Sequence, residues 1–372
     1  MHVCMVAFTD LRFDARIYRE ATALQEAGHR ISIVATSFSG TTTPAPWHRF
    51  ETHLVAVDRD RSLRVLYPTF WWHAARVLAS LAADVYHAHD LDALWPATRA
   101  ATRHGSLLVY DSHEFWTEQS GVVNRPRVRR FWTWIERRLV QQVHHTITVS
   151  TGIKEALESR YRLKGVTVLR NMPVFREPVV SNRIRETLNL DDRRAVVLYQ
   201  GGFLTENGLL EQIDAAALFD AAVLVLLGGG PCENELRQKA HHLGLGDSVF
   251  FLPRVPFAEL HEYTCSADVG LCLIKNSGKS FFYSLPNKLF EYFMAGVPVV
   301  ASDFPEMGAV VQKSGAGILA DPLDPFAVAR QINLLIADAP RMAHCAEAAR
   351  AAARTYSWEH EVEKLTTLYA GL

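Results

Sequence analysis

Short runs of apolar residues alternate with longer amphipathic stretches along the whole of this 372-residue chain. Runs such as His2–Phe8 and Asp84–Asp90 lack the strict alternation of a half-exposed strand. Strands that are apolar on both faces are typical of a parallel sheet covered by helices. Stretches of helical period lie between them, such as Asp14–Gly28, which ends on a glycine suited to a C-terminal cap. The pattern predicts a doubly wound α/β domain.

The period breaks around Pro173–Asp192, where prolines and charges interrupt it, and we expect a linker there. A second series of apolar runs follows, from Ala195–Gly202 to Gly315–Ala320, and the remainder is almost entirely helical. We therefore predict an α/β fold of two Rossmann-like domains facing a central cleft at the carboxyl ends of their strands. The predicted domains are residues 1–178 and 179–355.

Composition and charge narrow the class of protein. Hydrophobic residues make up 49% and charged residues 21%, a globular composition. The chain has 39 Lys and Arg residues and 40 Asp and Glu residues, and this near-zero net charge argues against a nucleic-acid partner. Residues 1–178 alone carry 23 Lys and Arg residues and 17 Asp and Glu residues. The five cysteines are scattered without a metal-binding spacing, which favours a reducing compartment. Without a leader pattern or a membrane-length apolar run, we expect a cytoplasmic protein.

The strongest local signal is LPNKLFEYFMAGVPVVAS, residues 285–302. Pro286 stands where a helix would start, and the N–H groups of a helix start suit an anionic phosphate. Glu291, one turn into that helix, could accept hydrogen bonds from the two hydroxyls of a ribose. The alternative is an ordinary exposed glutamate on a helix.

This segment resembles the donor-site signature of the GT-B glycosyltransferases of family 4, and other segments match that family in the same order. In the second half they are VLYQGGFLTENGL and LLGGGPCENEL, and in the first half DVYHAHDLDAL and LVYDSHEFW. The final YSWEHEVEKLTTLY resembles the helix that crosses back to the first domain, which predicts such a helix over 356–372. The resemblance covers nearly the whole chain.

The resemblance implies retaining transfer of a hexose-type sugar from a UDP- or GDP-linked donor to a carbohydrate or lipid-linked glycan. It implies no required metal and no cofactor beyond this co-substrate, in a role such as polysaccharide biosynthesis. His113 matches a histidine expected to contact the donor sugar, although a packed histidine at a strand end is the alternative. The predicted catalytic residues are His113, Gly202 and Lys288. The predicted donor-binding residues are Gly201, Asn207, Arg254, Tyr283, Pro286, Asn287, Leu289 and Glu291.

Three positions depart from the family pattern. Gly202 and Asn207 stand where the family usually carries two basic residues that bind the diphosphate, and Tyr283 stands where it carries a glutamate. Lys288 is the cation that we expect to compensate, because it lies at the predicted helix start. The departures leave two alternatives open: a catalytically degenerate partner of another transferase, or a sugar-nucleotide 2-epimerase of the same fold.

The acceptor side is less distinctive. Its candidates follow predicted strands, where side chains face the cleft: Arg12, Asp14, Arg16, His89 and Asp90. A metal site at His87, His89 and Asp90 would need convergence in space, and we predict none. The segment 124–145 holds six arginines and one glutamate around three aromatic residues. It is either a core-packed helix with solvated arginines or a surface for an anionic membrane, which would attach the protein peripherally to the inner face.

Overall fold

Two parallel β-sheets, with helices between successive strands, make up the chain in this computed structural model. The structure describes residues 1–38, 42–58, 60–191 and 193–372, apart from the side chain of Phe257. The chain divides into two units. Unit 1 comprises Met1–Arg170 and Glu361–Leu372, and unit 2 comprises Asn171–His360.

Unit 1 is built on a seven-stranded sheet of order β3-β2-β1-β4-β5-β6-β7. Its strands are β1 His2–Asp10, β2 Arg30–Phe38, β3 Glu51–Val57, β4 Val85–His89, β5 Leu107–Ser112, β6 His145–Thr148 and β7 Thr167–Val168. Its helices are α1 Ala15–Glu26, α2 Leu63–Leu78, α3 Leu91–His104, α4 Ser120–Val123, α5 Pro126–Leu139 and α6 Thr151–Tyr161. The strand order reverses between β1 and β4, and in such a sheet ligands bind outside the carboxyl ends of the strands at this point.

Unit 2 is built on a six-stranded parallel sheet of order β10-β9-β8-β11-β12-β13. Its strands are β8 Ala195–Gly202, β9 Ala222–Gly229, β10 Val249–Leu252, β11 Val269–Cys272, β12 Val299–Ser302 and β13 Gly317–Ala320. Its helices are α7 Arg183–Leu188, α8 Leu209–Ala216, α9 Glu233–His242, α10 Phe257–Cys265, α11 Lys279–Phe282, α12 Asn287–Met294, α13 Pro305–Ser314, α14 Pro325–Ala337 and α15 Ala339–Thr355. Here the order reverses between β8 and β11.

The last helix, α16 Trp358–Ala370, returns to the N-terminal sheet, since Glu361–Leu372 belong to unit 1. Tyr369 is buried, and its hydroxyl lies 2.8 Å from Nδ1 of His87 on β4. Glu361 accepts a hydrogen bond of 2.8 Å from the backbone N–H of Arg170. The predicted fold class, with two Rossmann-like parallel sheets and a returning C-terminal helix, is confirmed.

Two local expectations differ from the structure. The segment predicted as an aperiodic linker contains the short helix α7, anchored by the fully buried Ile184. The helical period of the stretch Tyr67–Ala83 predicts a helix that begins at Tyr67, but α2 begins at Leu63 and continues through Pro68. Pro68 is the sixth residue of α2, beyond the first turn, so it removes one hydrogen bond of the helical ladder at a cost of about 3 kcal/mol. Among the described residues, no helix combines the length and the apolar character needed to cross a bilayer.

The glycines at the ends of β8 and β9 are required by a close backbone approach. Gly201 and Gly228 are register partners, with φ of +135° and +153°. A Cβ on Gly228 would lie 1.9 Å from the carbonyl oxygen of Gly201. The backbone there would have to move, and overpacking of this kind costs about 1–3 kcal/mol.

We therefore predict that Gly228→Ala lowers the free energy of unfolding by about 2 kcal/mol or more in urea denaturation. Gly246→Ala is the matched control, because a Cβ there meets nothing within 4 Å. It should change the same free energy by less than about 0.5 kcal/mol. Equal destabilisation by the two variants would show that the approach of the two strands does not depend on a missing side chain.

Candidate functional site

Lys288 brings a cation to the carboxyl end of β8. It is the second residue of α12, and its Nζ lies 3.9 Å from the centre of the Tyr199 ring. A Cβ built on Gly201 would lie 3.5 Å from this Nζ, so the ammonium group lies beside the glycine turn. Burial lowers the pKa of Lys288 to about 8. Among the described residues, no carboxylate lies within ion-pair distance of the ammonium group.

Glu291 lies one turn further along α12, on the same side of the helix as Lys288. Its Oε2 accepts a hydrogen bond of 2.6 Å from Nε2 of Gln200, the residue that precedes Gly201. The Oε1 of Gln200 in turn accepts from the Thr264 hydroxyl at 2.8 Å. Gln200 is buried, so its amide fixes the direction of the Glu291 carboxylate.

Two polar side chains of the predicted donor site bind the glycine-turn backbone. Nδ2 of Asn207 donates to the carbonyl oxygen of Gly202 at 2.9 Å, and that oxygen also accepts from the Tyr199 hydroxyl at 2.7 Å. Nη2 of Arg254 donates to the carbonyl oxygen of Gly229 at 2.9 Å. Because Gly202 and Gly229 are register partners, both side chains lie at the same edge of the sheet.

The other predicted donor residues are placed differently. Pro286 caps α12 and Asn287 is exposed at its first position, beside Lys288. Leu289 has no exposed surface and packs in the core, so its side chain is not available to a ligand. Tyr283 caps α11, and its ring packs against that of Phe282 at 5.2 Å. The structure thus brings Lys288 to the glycine turn but leaves the Leu289 side chain away from it.

In unit 1, Asp111 at the end of β5 is the centre of a buried charged cluster. Nε and Nη2 of Arg16 bind its carboxylate at 2.9–3.0 Å. Nε2 of His113 lies 3.0 Å and Nδ1 of His89 lies 3.6 Å from its Oδ2. Arg16 and His113 hold the pKa of Asp111 well below its ordinary value, although its burial opposes this.

Asp90 holds His113 from the other side. Its backbone has a φ of +65°, a conformation that residues other than glycine rarely adopt. Its Oδ1 accepts from the backbone N–H of His113 at 2.9 Å, and its Oδ2 lies 3.5 Å from Nδ1 of the ring. Burial opposes charging of His113, but Asp111 and Asp90 outweigh it and raise its pKa to about 10. The ring is therefore an imidazolium at neutral pH, with Nδ1 more loosely held than Nε2.

The predicted acceptor residues have different environments. Arg16 is 4% exposed and forms an ion pair with Asp111. This buried ion pair favours a structural role for Arg16 over the acceptor contact expected from the sequence. Asp14 caps α1 by accepting from the N–H of Ile17 at 3.1 Å. Arg12 is exposed and pairs with Asp10. His89 is buried, and burial lowers its pKa.

Two histidines and two carboxylates come close enough to suggest a metal centre. One ligand atom each of Glu20, His87, His89 and Asp111 lies within 4.8 Å of the others. However, the Arg16 guanidinium lies 2.9 Å from both the Glu20 and the Asp111 carboxylates. A cation is therefore already bound between them, and burial raises the pKa of Glu20 to about 8.

Sequence reasoning missed three of these partners, namely Asp111, Glu20 and Gln200. Asp111 is separated from Arg16 by 95 positions, and no local pattern links the two. A signal did exist for Gln200, because it is a polar residue at the end of an otherwise apolar strand.

We predict that Asp111→Asn lowers the His113 pKa from about 10 towards the ordinary value near 6.5, since it removes the carboxylate that stabilises the imidazolium. NMR titration of the imidazole signals measures this. If Asp111→Asn fails to fold, Asp90→Asn replaces it in the test. Asp90 lies on the solvent-accessible side of the ring, so this variant should lower the His113 pKa by a smaller amount. The control Asp58→Asn removes an exposed carboxylate that pairs with Arg61, and it should leave the His113 pKa unchanged.

The same pKa difference sets a pH window for stability. The folded pKa of His113 lies above the unfolded value, so its stabilisation is present below about pH 6.5 and is lost as pH rises towards about 10. Wild-type unfolding free energy should fall over that window more steeply than that of Asp90→Asn. Identical profiles would contradict a charged His113.

Two family models match consecutive parts of the chain. Glycosyltransferase Family 4 matches residues 15–172, and Glycosyl transferases group 1 matches residues 180–352. The chain is 29% identical over 235 residues to a D-inositol 3-phosphate glycosyltransferase of Xylanimonas cellulosilytica, covering 58% of this chain and 55% of that protein.

A second relative is the GDP-mannose-dependent alpha-(1-6)-phosphatidylinositol monomannoside mannosyltransferase of Mycobacterium tuberculosis. It is 30% identical over 155 residues, which are 41% of this chain and 40% of that protein. The chain thus spans about half the length of the curated relatives it matches.

The fold also matches a solved structure, Anabaena HepE in complex with UDP-glucose. The TM-score is 0.78 at 16% identity, with 100% of both chains covered. This likeness shows the fold, and the two family models together account for most of the sequence. The chain belongs to the GT-B glycosyltransferases of the family 4 type.

Proposed function

We propose that the protein transfers a hexose-type sugar from a UDP- or GDP-linked donor to a carbohydrate or lipid-linked glycan, with retention of anomeric configuration and without a metal. Two relatives support this class of donor: one solved neighbour is a complex with UDP-glucose, and one curated relative is named as GDP-mannose-dependent. The observation that carries the proposal is the ammonium group of Lys288, which lies beside the glycine turn of unit 2 and has no ion-pair partner among the described residues.

The donor diphosphate carries the charge that the site must stabilise as the sugar leaves. Gly202 and Asn207 supply no cation at the positions where the family has two, and the Asn207 amide is bonded to the backbone. Lys288 takes over this role in our proposal. The first turn of α12 adds backbone N–H groups that lie outside the helical ladder, and these favour an anion. The missing Cβ at Gly201 and Gly202 allows a phosphate to approach the backbone closely.

Glu291 is assigned to the ribose. Gln200 occupies Oε2 of the carboxylate and fixes its direction. A carboxylate oriented in this way can accept both ribose hydroxyls, whereas a freely rotating one would lose side-chain entropy on binding. Arg254 and Asn287 lie at the same edge, and we assign them to the nucleotide as well.

His113 is assigned to the donor sugar. As an imidazolium it donates from Nε2 to Asp111, which leaves the loosely held Nδ1 to donate to a sugar hydroxyl. Among the acceptor candidates, Arg12 is exposed and Asp14 and Asp90 are partly exposed, so these three side chains reach solvent. We propose a cytoplasmic location with peripheral attachment to the inner face of the membrane.

One observation favours a second function, that of a catalytically inactive partner protein. Tyr283 replaces an acidic residue of the family, and its ring packs against Phe282. Such a protein would bind no nucleotide sugar, which distinguishes the two proposals. Release of a free epimerised sugar would instead indicate a 2-epimerase.

We predict that a panel of UDP-, GDP- and dTDP-sugars contains one donor that binds in calorimetry, and that Lys288→Met weakens its binding about 30-fold. This factor corresponds to the loss of about 2 kcal/mol from one charged contact. Lys279→Met is the matched control, because Lys279 is an exposed lysine of the same unit. It should leave the affinity unchanged. An equal effect of both variants, or no binding by the wild type, would contradict the proposed donor site.

A further inference from the structure

Helices α2, α3 and α5 lie side by side on one face of the unit 1 sheet. Each connects parallel strands by a crossover in the same direction along the sheet, and right-handed crossovers place them on the same face. The groove between α2 and α3 is lined by Trp72, Arg76, Trp95, Arg99 and Arg103. The groove between α3 and the end of α5 shares the last three of these residues. The outward surface of these three helices is called the arginine–tryptophan face below.

The arginine–tryptophan face carries positive charge without exposed negative charge on its helices. Its exposed arginines are Arg64, Arg76, Arg99, Arg103, Arg127, Arg130, Arg137 and Arg138. The two carboxylates of these helices, Asp92 and Glu136, are 5% and 0% exposed. Among the described residues, none of the eight arginines forms an ion pair with a carboxylate. Outside these three helices, exposed acidic residues lie at Asp58 and Asp60, before α2, and at Glu155 on α6, and Asp58 pairs with Arg61.

Exposed apolar side chains are interleaved with these arginines. Trp72 and Trp134 are each 55% exposed, and Phe131 is 50% exposed. The start of α2 adds Leu63 and Val65, which are 55% and 48% exposed. Transfer of large apolar side chains from water to an apolar boundary lowers the free energy.

Three arginines of the face stack on tryptophans of the same helix. The Cζ of Arg76 lies 4.7 Å from the Trp72 ring centre, and that of Arg138 lies 5.1 Å from the Trp134 ring centre. Arg99 lies 5.2 Å from the ring of Trp95. Each guanidinium covers one side of its ring, so nucleic-acid bases would meet partly occupied stacking surfaces.

We propose that the arginine–tryptophan face docks on the surface of an anionic lipid bilayer. Tryptophan prefers the level of the lipid head groups, and arginines near an anionic surface each contribute to binding. The aliphatic and aromatic side chains at the start of α2 and on α5 then enter the boundary between head groups and acyl chains. This docking is independent of the proposed sugar transfer, since no residue of the donor site takes part.

The test is flotation of the full chain with vesicles of phosphatidylcholine alone or of phosphatidylcholine mixed with phosphatidylglycerol. The wild type should float with the mixed vesicles and remain behind with the neutral ones. The double variant Arg103→Gln/Arg137→Gln removes two charges that stack on no aromatic ring within the described ranges. It should bind the mixed vesicles about 25-fold more weakly, or about fivefold for each charge.

The matched control is Arg330→Gln/Arg341→Gln, which removes two exposed helical arginines from unit 2. It should bind as the wild type does. Trp134→Ala gives a second readout, because it removes an apolar contact and should weaken binding at unchanged charge. Equal losses in both double variants, equal binding to neutral vesicles, or tighter binding to a single-stranded oligonucleotide than to the mixed vesicles would overturn the proposal.

Discussion

The ammonium group of Lys288 is held against an aromatic ring, and no carboxylate of the described part of the chain lies within ion-pair distance of it. A contact of 3.9 Å with the Tyr199 ring contributes about 0.5–2 kcal/mol, which only partly offsets the loss of hydration. The lowered pKa, about 8, reflects this imbalance. An anion beside Gly201, as in the proposed donor site, would offset the remaining loss of hydration. Leu289 and Phe290, both fully buried, anchor α12 in the core and hold the lysine in position.

Unit 1 also buries a charged group, but there the buried group is a carboxylate that two cations bind. Asp111 is buried, and two cations, Arg16 and His113, share its carboxylate. The imidazolium of His113 at the end of β5 remains charged because Asp111 and Asp90 raise its pKa by more than burial and Arg16 lower it. Each unit therefore presents a positive group at the carboxyl edge of its own sheet, where parallel sheets bind ligands. A nucleotide sugar, with its diphosphate, has the complementary charge.

The fold was predictable because its signals are local. Apolar strands without alternation indicated parallel sheets, and Pro286 indicated the start of α12 one residue before the structure begins it. The expected position of Lys288 at the helix start followed from that proline, whereas its place beside Tyr199 and Gly201 is a tertiary feature. Partners that meet only through the tertiary fold were not predictable, and Arg16 illustrates this. In the sequence it follows a strand as a cleft residue would, yet in the structure its guanidinium lies buried on Asp111.

The arginine–tryptophan face is likewise a tertiary feature that the sequence alone does not predict. The sequence shows that segment 124–145 is basic and aromatic, but no local pattern connects the arginines of α2 and α3 with this segment. They lie far apart along the chain, and only the crossover geometry of the sheet brings the three helices together. The burial of Asp92 and Glu136, which leaves these helices without exposed acidic groups, is likewise a property of packing.

The central claim is that Lys288 replaces the missing cations of the donor site. A crystal structure of the chain with the nucleoside diphosphate of its preferred donor tests this most directly. The account predicts a phosphate oxygen within hydrogen-bonding distance of Nζ of Lys288, with the ribose hydroxyls on the Glu291 carboxylate. A nucleotide bound in unit 2 with its phosphates away from Lys288, neutralised by another cation, would contradict it.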